Sequence, residues 1–309
     1  MFSFFANIFG YLLGFLYNIV SNYGVAIILF TLIIKLILLP LSIKQQRTLK
    51  KSAKIQEKMK VLEYKYKNDP EKLNKEMMNL YKNEKMSPFS GCLTGIIQII
   101  LLLSIFYLVR SPLTYMQKIP QEDINRYVSQ LQEAEKETSA AYPEIDILRE
   151  RDFLKEKNPD DSNMNKLDIQ MNFLGLDLSK VPQQNLTDYT VYIIPVLYII
   201  SSFISIRMTT AMQEKQNKKK KKANEPLPVI DAETGKELPA VKEEEEEIDA
   251  VMQTNKMMSW MMPIMSITIA FVAPLGLALY WLVSNILMIL ERIVLDKLIK
   301  DDEEWKEWY

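Results

Sequence analysis

The sequence predicts an all-α polytopic membrane protein with five transmembrane helices, a cytoplasmic helical hairpin and an N-terminal interfacial helix. Three observations carry this reading. Apolar blocks nearly free of charge (Val25 to Ile43, Gly91 to Val109, Tyr189 to Ile206 and a longer one from Met257 to Leu290) have the lengths a bilayer requires. Blocks dense in Lys and Glu separate them, although the 309-residue chain is almost neutral at a formal −1. The sign of those blocks alternates along the chain, as consecutive crossings demand.

Residues 1–22 carry no charged side chain. A signal sequence needs a basic first region and a small-residue cleavage site, and neither is present. On a helical wheel Ser3, Asn7, Gly10, Gly14, Asn18 and Ser21 share one side, while Phe4, Phe5, Phe9, Leu12, Leu16 and Ile19 fall elsewhere. That division favours an interfacial amphipathic helix over a span. Residues 23–43 form the first span. Residues 44–88 hold 13 Lys/Arg against 6 Asp/Glu, an excess that marks the cytoplasmic side. Within them Gln46 to Lys67 and Glu71 to Glu84 read as two helices, each with one thin apolar seam. The break is Asn68-Asp69-Pro70, where Asp69 can cap and Pro70 can open the next helix.

Residues 89–110 are the second span, and 111–188 a long acidic extracytoplasmic segment with a small or partly ordered subdomain. Residues 189–207 are the third span. Residues 208–256 return to the cytoplasm with the run Lys218 to Lys222, three prolines and the run Glu243 to Glu247. Such a segment has nothing to bury and reads as largely disordered. Pro274 and Gly276 divide the last apolar block into spans at 257–273 and 275–291. Each is about sixteen residues, or roughly 24 Å, short against a hydrocarbon core of roughly 30 Å. A thin hairpin follows, which leaves 292–309 as an acidic cytoplasmic tail.

Lys35 is the one ionisable side chain from Gly24 to Ser42. A charge at that depth costs roughly 2.5 to 3.5 kcal/mol on insertion scales. Lys44 is nine residues on, roughly 13 Å, further than one lysine stem reaches by snorkelling. No Asp or Glu occurs in any apolar block to neutralise Lys35, so a hydrated, polar interior is expected around it. Thr31, one turn earlier, shares its helix face. Gln98 and Thr94 are the polar residues of the second span. Tyr198, Ser201, Ser202 and Ser205 make a stripe on the third, and Trp281, Ser284, Asn285 and Met288 another on the last. Interhelical hydrogen bonding alone explains any one of these residues, at roughly 0.6 to 2 kcal/mol each.

Histidine is absent and Cys92 is the single cysteine. Ser-His and Cys-His catalysis, histidine zinc motifs and an intrachain disulfide are thereby excluded. No glycine-rich phosphate loop is present, so neither an enzyme, a cofactor nor a metal is expected. Two readings of these residues stand. A small secondary transporter or channel would use Lys35 as a counter-ion site, although paired acidic residues and repeated halves are missing. A passive assembly scaffold would use the hairpin alone.

The string from Asn22 to Lys44, the loop NDPEKLNKEMMNLYKNEKMSPFSGC, the string FLGLDLS at Phe173 to Ser179 and the final MMPIM…APLGLALYWLVSN together resemble the YidC membrane protein insertases. Their wider family includes the mitochondrial oxidase-assembly and chloroplast Albino insertases, and the chain is similar to the short, Gram-positive-like form. The resemblance implies a five-span core around a hydrophilic groove open to the cytoplasm and to lipid, with the N-terminus outside and the C-terminus inside. It implies a bacterial cell membrane protein, working as a monomer, that inserts nascent membrane proteins alone or with the Sec translocon. Lys35 falls where the family's groove carries a positive residue, usually arginine. Thr31, Gln98 and Trp281 fall on groove and substrate-contact positions, with Ser284 and Asn285 beside Trp281. Lysine cannot grip a carboxylate bidentately as arginine does. Contact with the ribosome would fall to the basic cytoplasmic loops.

Overall fold

The computed structural model describes residues 2–66, 69–84, 90–223 and 269–298. They are mostly helical. The chain divides into two compact units, the first built on residues 1–174 and the second on residues 175–292.

In the first unit, α1 (Phe2–Val20) buries Ala6, Gly10, Leu13 and Leu16. That spacing of three and four residues gives one helical face, which packs on α2 (Tyr23–Lys65) and α4 (Ser90–Arg110). The opposite face exposes Phe4, Ile8, Tyr11, Phe15 and Ile19. The sequence groups Gly10 with the polar side of the helix, and the structure buries it. A Cβ at Gly10 would stand 2.0 Å from the Tyr115 carbonyl oxygen, so only glycine lets the backbones meet.

Ser21, at φ 50°, makes the elbow between α1 and α2. Asn22 then caps α2 by accepting from the Val25 N–H at 3.1 Å, and its amide donates to the Asn172 carbonyl at 2.7 Å. The Tyr23 N–H donates to the Gln170 carbonyl at 3.0 Å. Gly24 leaves room for the Phe173 ring, whose Cγ lies 2.5 Å from where a Cβ would be. Three consecutive positions, 22 to 24, thus tie the start of α2 to residues 170–173.

From there α2 runs without interruption for 43 residues, about 65 Å at helical rise. The sequence reading ended a span at Ile43 and opened a separate helix at Gln46. Polarity changes there, but no residue breaks the helix, and Pro40 is accommodated inside it. Asp69 accepts from the Lys72 N–H at 3.0 Å and Pro70 stands in the first turn of α3 (Pro70–Asn83). A Lys58–Glu84 ion pair and a hydrogen bond from the Tyr81 hydroxyl to the Met59 sulfur at 3.4 Å join α3 to α2.

Residues 111–171, where the sequence places a small or partly ordered subdomain, fold as a set of short helices. These are α5 (Pro112–Tyr115), α6 (Gln121–Glu133), α7 (Pro143–Arg149) and α8 (Arg151–Lys157). They enclose Leu113, Ile124, Tyr127, Leu131, Ile147 and Leu148. Glu144, only 3% exposed, accepts from the Leu113 N–H at 2.7 Å, the Thr114 N–H at 3.0 Å and the Thr114 hydroxyl at 2.6 Å. It thereby satisfies the first donors of α5. Burial nevertheless pushes the Glu144 carboxyl above its ordinary range, against the lowering effect of those bonds. The two strands among the described residues, β1 (Asn172–Phe173) and β2 (Leu176–Asp177), flank a turn in which Leu174 and Gly175 take φ 52° and 82°.

In the second unit, α9 (Ile193–Ala223) and α10 (Leu275–Leu298) are the long helices. The first donors of α10 are met by residues far away in the chain: the Leu275 and Gly276 N–H groups each donate at 2.9 Å, to Lys180 and Leu178 carbonyls. Lys180 also pairs with Asp188 at 2.8 Å, and Asp188 accepts from the Thr190 N–H and hydroxyl just before α9. Together these hold the Asp188 carboxyl down at about 2. The segment expected to be disordered from 208 is helical to Ala223, through the lysine run. Lys, Gln and Ala favour helix, and no proline intervenes before 226. Of the expected span at 257–273 only 269–273 is described, and residues 269–272 of it are helical. The rest of it, the Glu243 run and the acidic tail beyond 298 lie outside the described residues.

Among the described residues four helical stretches are long and apolar enough to cross a membrane: Phe2–Val20, Tyr23–Gln45, Tyr189–Met208 and Leu275–Leu295. The chain is a helical membrane protein.

Candidate functional site

The sequence-predicted site residues fall in both units. In the first, α2 places Lys35 twelve residues beyond Tyr23, about 18 Å from the capped end. Its side chain is half-buried. Thr31, one turn earlier, is 2% exposed, and its hydroxyl donates to the Ile27 carbonyl at 2.6 Å. That bond to its own helix satisfies the hydroxyl without any neighbour. Around Lys35 the residues Leu32, Leu36 and Ile37 are exposed and Ile34 is buried, so the ammonium stands at the border between the packed and the exposed sides of α2.

Gln98 belongs to α4, but its side chain and those of Thr94 and Cys92 lie outside the described residues. Further along α4, Ser104 is fully buried and donates to the Ile100 carbonyl at 2.7 Å. It repeats the device of Thr31. Its only mark in the sequence is a hydroxyl in an apolar run.

In the second unit the two polar stripes meet. Asn285, 8% exposed, donates through Nδ2 to the Ser201 hydroxyl at 3.0 Å and the Ser202 hydroxyl at 3.2 Å. The Trp281 ring lies against Tyr198 with centroids 6.0 Å apart. Arg292 donates to the Ser205 carbonyl at 3.4 Å. The paired positions advance in the same direction on both helices, 198 with 281, 201 and 202 with 285, and 205 with 292, so α9 and α10 run parallel. Ser284 is half-buried on α10. Sequence reasoning did not single out Arg292. The available signal was its place seven residues after Asn285, two turns on along one face.

α1 contributes a further set of polar contacts. Near its start the Tyr115 hydroxyl donates to Ser3 at 3.3 Å, and the Lys118 ammonium donates to the Asn7 side chain at 3.1 Å and sits 3.9 Å over the Tyr11 ring. Near its end the Tyr17 hydroxyl donates to the Asp168 carbonyl at 3.2 Å and accepts from the Gln170 N–H at 2.9 Å. Among the described residues no group of three or more Cys, Asp or Glu could hold a metal ion.

Comparison with known proteins gives one family and consistent relatives. The family described as 60Kd inner membrane protein matches residues 15–303. A protein named membrane protein insertase YidC from Caldanaerobacter subterraneus subsp. tengcongensis is 45% identical over 102 residues, which is 33% of this chain and 50% of the relative. A protein of the same name from Francisella tularensis subsp. novicida is 43% identical over 109 residues, 35% of this chain and 20% of the relative. The chain thus spans half or less of the length of the curated relatives it matches.

Proposed function

This chain belongs to the 60Kd inner membrane protein family, and from that membership we propose that it inserts nascent membrane proteins into the bilayer of a bacterial cell. The observation that carries the mechanism is Lys35, a half-buried ammonium about 18 Å along a helix that is otherwise apolar at that depth. A charge there favours a wet recess, because dry hydrocarbon would penalise it heavily. In this reading Lys35 and Thr31 line a groove open to the cytoplasm. The hairpin of α2 and α3 meets the client first. The client's polar flank then enters the groove, where water and fixed polar groups lower the cost of holding it at membrane depth. Its hydrophobic segment passes Trp281 and leaves into lipid, and burial of that segment in the bilayer provides the driving force. No nucleotide is required.

The five-span arrangement has support of two kinds. Parallel spans in α9 and α10 require an odd number of crossings between them, and the apolar block at 257–273 is the sequence available for one. For α1, both ends bond to the subdomain that follows α4 and precedes α9. A span of 19 residues would set its ends about 28 Å apart on opposite faces. Contact at both ends with one subdomain favours α1 lying along a single face, its Phe4, Phe15 and Ile19 side in the interface. That face is the extracytoplasmic one, since α3 and the basic loop occupy the other. The Sec translocon and, through the basic loops, the ribosome are the partners this reading adds.

The test is reconstitution of the purified protein in vesicles with a stalled nascent membrane protein, with and without Sec. Insertion with crosslinks at both position 31 and position 281 is expected. Crosslinks to the hairpin alone, or none with unimpaired solute transport, would discard the insertase mechanism.

A further inference from the structure

In lipid, apolar side chains cannot fix the register of two helices, because the surrounding acyl chains are as apolar as leucine. A slide of one residue along α9 would shift it about 1.5 Å and turn a different face toward α10 by about 100°. Something polar has to hold the position. The candidates on this interface are few and they lie in one line. The Asn285 amide bridges Ser201 and Ser202. Ser201 itself donates to the Tyr198 carbonyl at 2.8 Å. One turn before Asn285, Trp281 leans on the Tyr198 ring at an interplanar angle of 35°. Two turns after it, Arg292 reaches the Ser205 carbonyl. Trp281 is half-exposed while Tyr198 is buried, so the indole is the outer member of the pair.

We infer that Asn285 is a positioning residue: by locking α9 against α10 it holds the Trp281 indole on the buried Tyr198 ring, so that the indole stands as a fixed aromatic ledge for apolar helical segments of a client. The inference rests on the insertase reading for the client and on the geometry alone for the lock. A slipped register would leave the Asn285 amide without partners in hydrocarbon, which is what makes the observed register the favoured one. A large, rigid aromatic surface suits clients that differ in sequence, since it offers contact area without demanding a particular partner. Asn285 therefore acts through Trp281 and does not itself face the client, which separates it from the groove role its position in the sequence suggests.

The experiment uses the full chain with Trp260→Phe, Trp305→Phe and Trp308→Phe, so that Trp281 is the sole indole, reconstituted in vesicles containing brominated lipid. Asn285→Leu should change quenching of Trp281 about twofold and lower crosslinking of a stalled chain at position 281 by a similar factor. Exchanging the partners, Ser201→Asn with Asn285→Ser, rebuilds an amide to hydroxyl bond across the interface and should restore both readouts, which a mere space-filling role would not. If Asn285→Leu fails to accumulate, Ser202→Ala keeps one acceptor and should show a smaller shift in the same direction. Unchanged quenching in Asn285→Leu, or no restoration by the exchange, would overturn the lock. Quenching requires no client. A shifted indole in a protein whose wild type inserts nothing would therefore sink the insertase reading and leave the positioning role standing.

Discussion

α2 and α10 both carry polar side chains into the apolar part of the protein, and they satisfy them in opposite ways. On α2 the Thr31 hydroxyl bonds back to its own helix, and the charge of Lys35 sits at the border of the packed face. On α10 the Asn285 amide bonds across to α9 and is buried. In the first pattern the hydroxyl is satisfied within its own helix. The second consumes its polarity in holding two helices together. Residue type does not distinguish the two uses, since threonine, serine and asparagine serve either. The partner does.

The largest effect should come from reversing the charge on α2. Lys35→Glu should lower insertion of clients with acidic flanks by about tenfold, in line with a like-charge pair at short range in a medium of intermediate dielectric, and should spare clients with basic flanks. A panel of clients differing only in flank charge measures it. Equal rates across that panel would remove the charge from the mechanism and reduce the contrast between α2 and α10 to one of packing.

On the α10 side, the contrast predicts stability effects with a definite order. Ser201→Ala with Ser202→Ala leaves the Asn285 amide buried without its two acceptors and should cost about 1 to 3 kcal/mol. Asn285→Leu removes the amide as well and should cost less, because no polar group is left stranded. Denaturation in a mild detergent gives both values. The reverse order would mean that the seam is held by apolar contacts and that the amide is incidental.

How much of this was legible in the sequence follows from the range of the interactions. The Asp69 cap with Pro70 behind it is a local device, and the string Asn68-Asp69-Pro70 announces it. Both polar stripes were visible as well, each on its own helix. That Asn285 meets Ser201 and Ser202 was not, because those partners are 84 and 83 residues away and periodicity says which face is polar but not what it meets. Glu144 shows the same limit: it lies in a run of charged residues and looks solvated, yet it caps a helix thirty residues earlier. The continuity of α2 past Ile43 was hidden for another reason. A change from apolar to basic residues marks a membrane surface, and a helix can pass through a surface without ending.

Smaller effects, of opposite sign, separate two carboxylates outside the spans. Asp188 is held down at about 2 by Lys180 and Thr190, so its contribution is present above its ordinary 3.8 and is lost as pH falls through about 2. Glu144 is pushed up by burial from an ordinary 4.5. A raised group favours the folded state most when protonated, so its contribution is full below 4.5 and is lost as pH rises through the elevated value. Hydrogen exchange at the Thr190 and Leu113 amides against pH reads the two separately. Acidification from pH 4 to 2 should speed exchange at Thr190, and acidification from neutrality toward 4.5 should slow it at Leu113. Parallel pH dependences at the two amides would contradict this assignment.

The central claim is that water reaches Lys35 from the cytoplasmic side alone. In a Cys92→Ser background, Lys35→Cys can be probed in sealed membranes with a membrane-impermeant thiol reagent applied from either face. The account predicts labelling from the cytoplasmic face and none from the other; a thiol that reacts from neither face, or from the extracytoplasmic face, would contradict it.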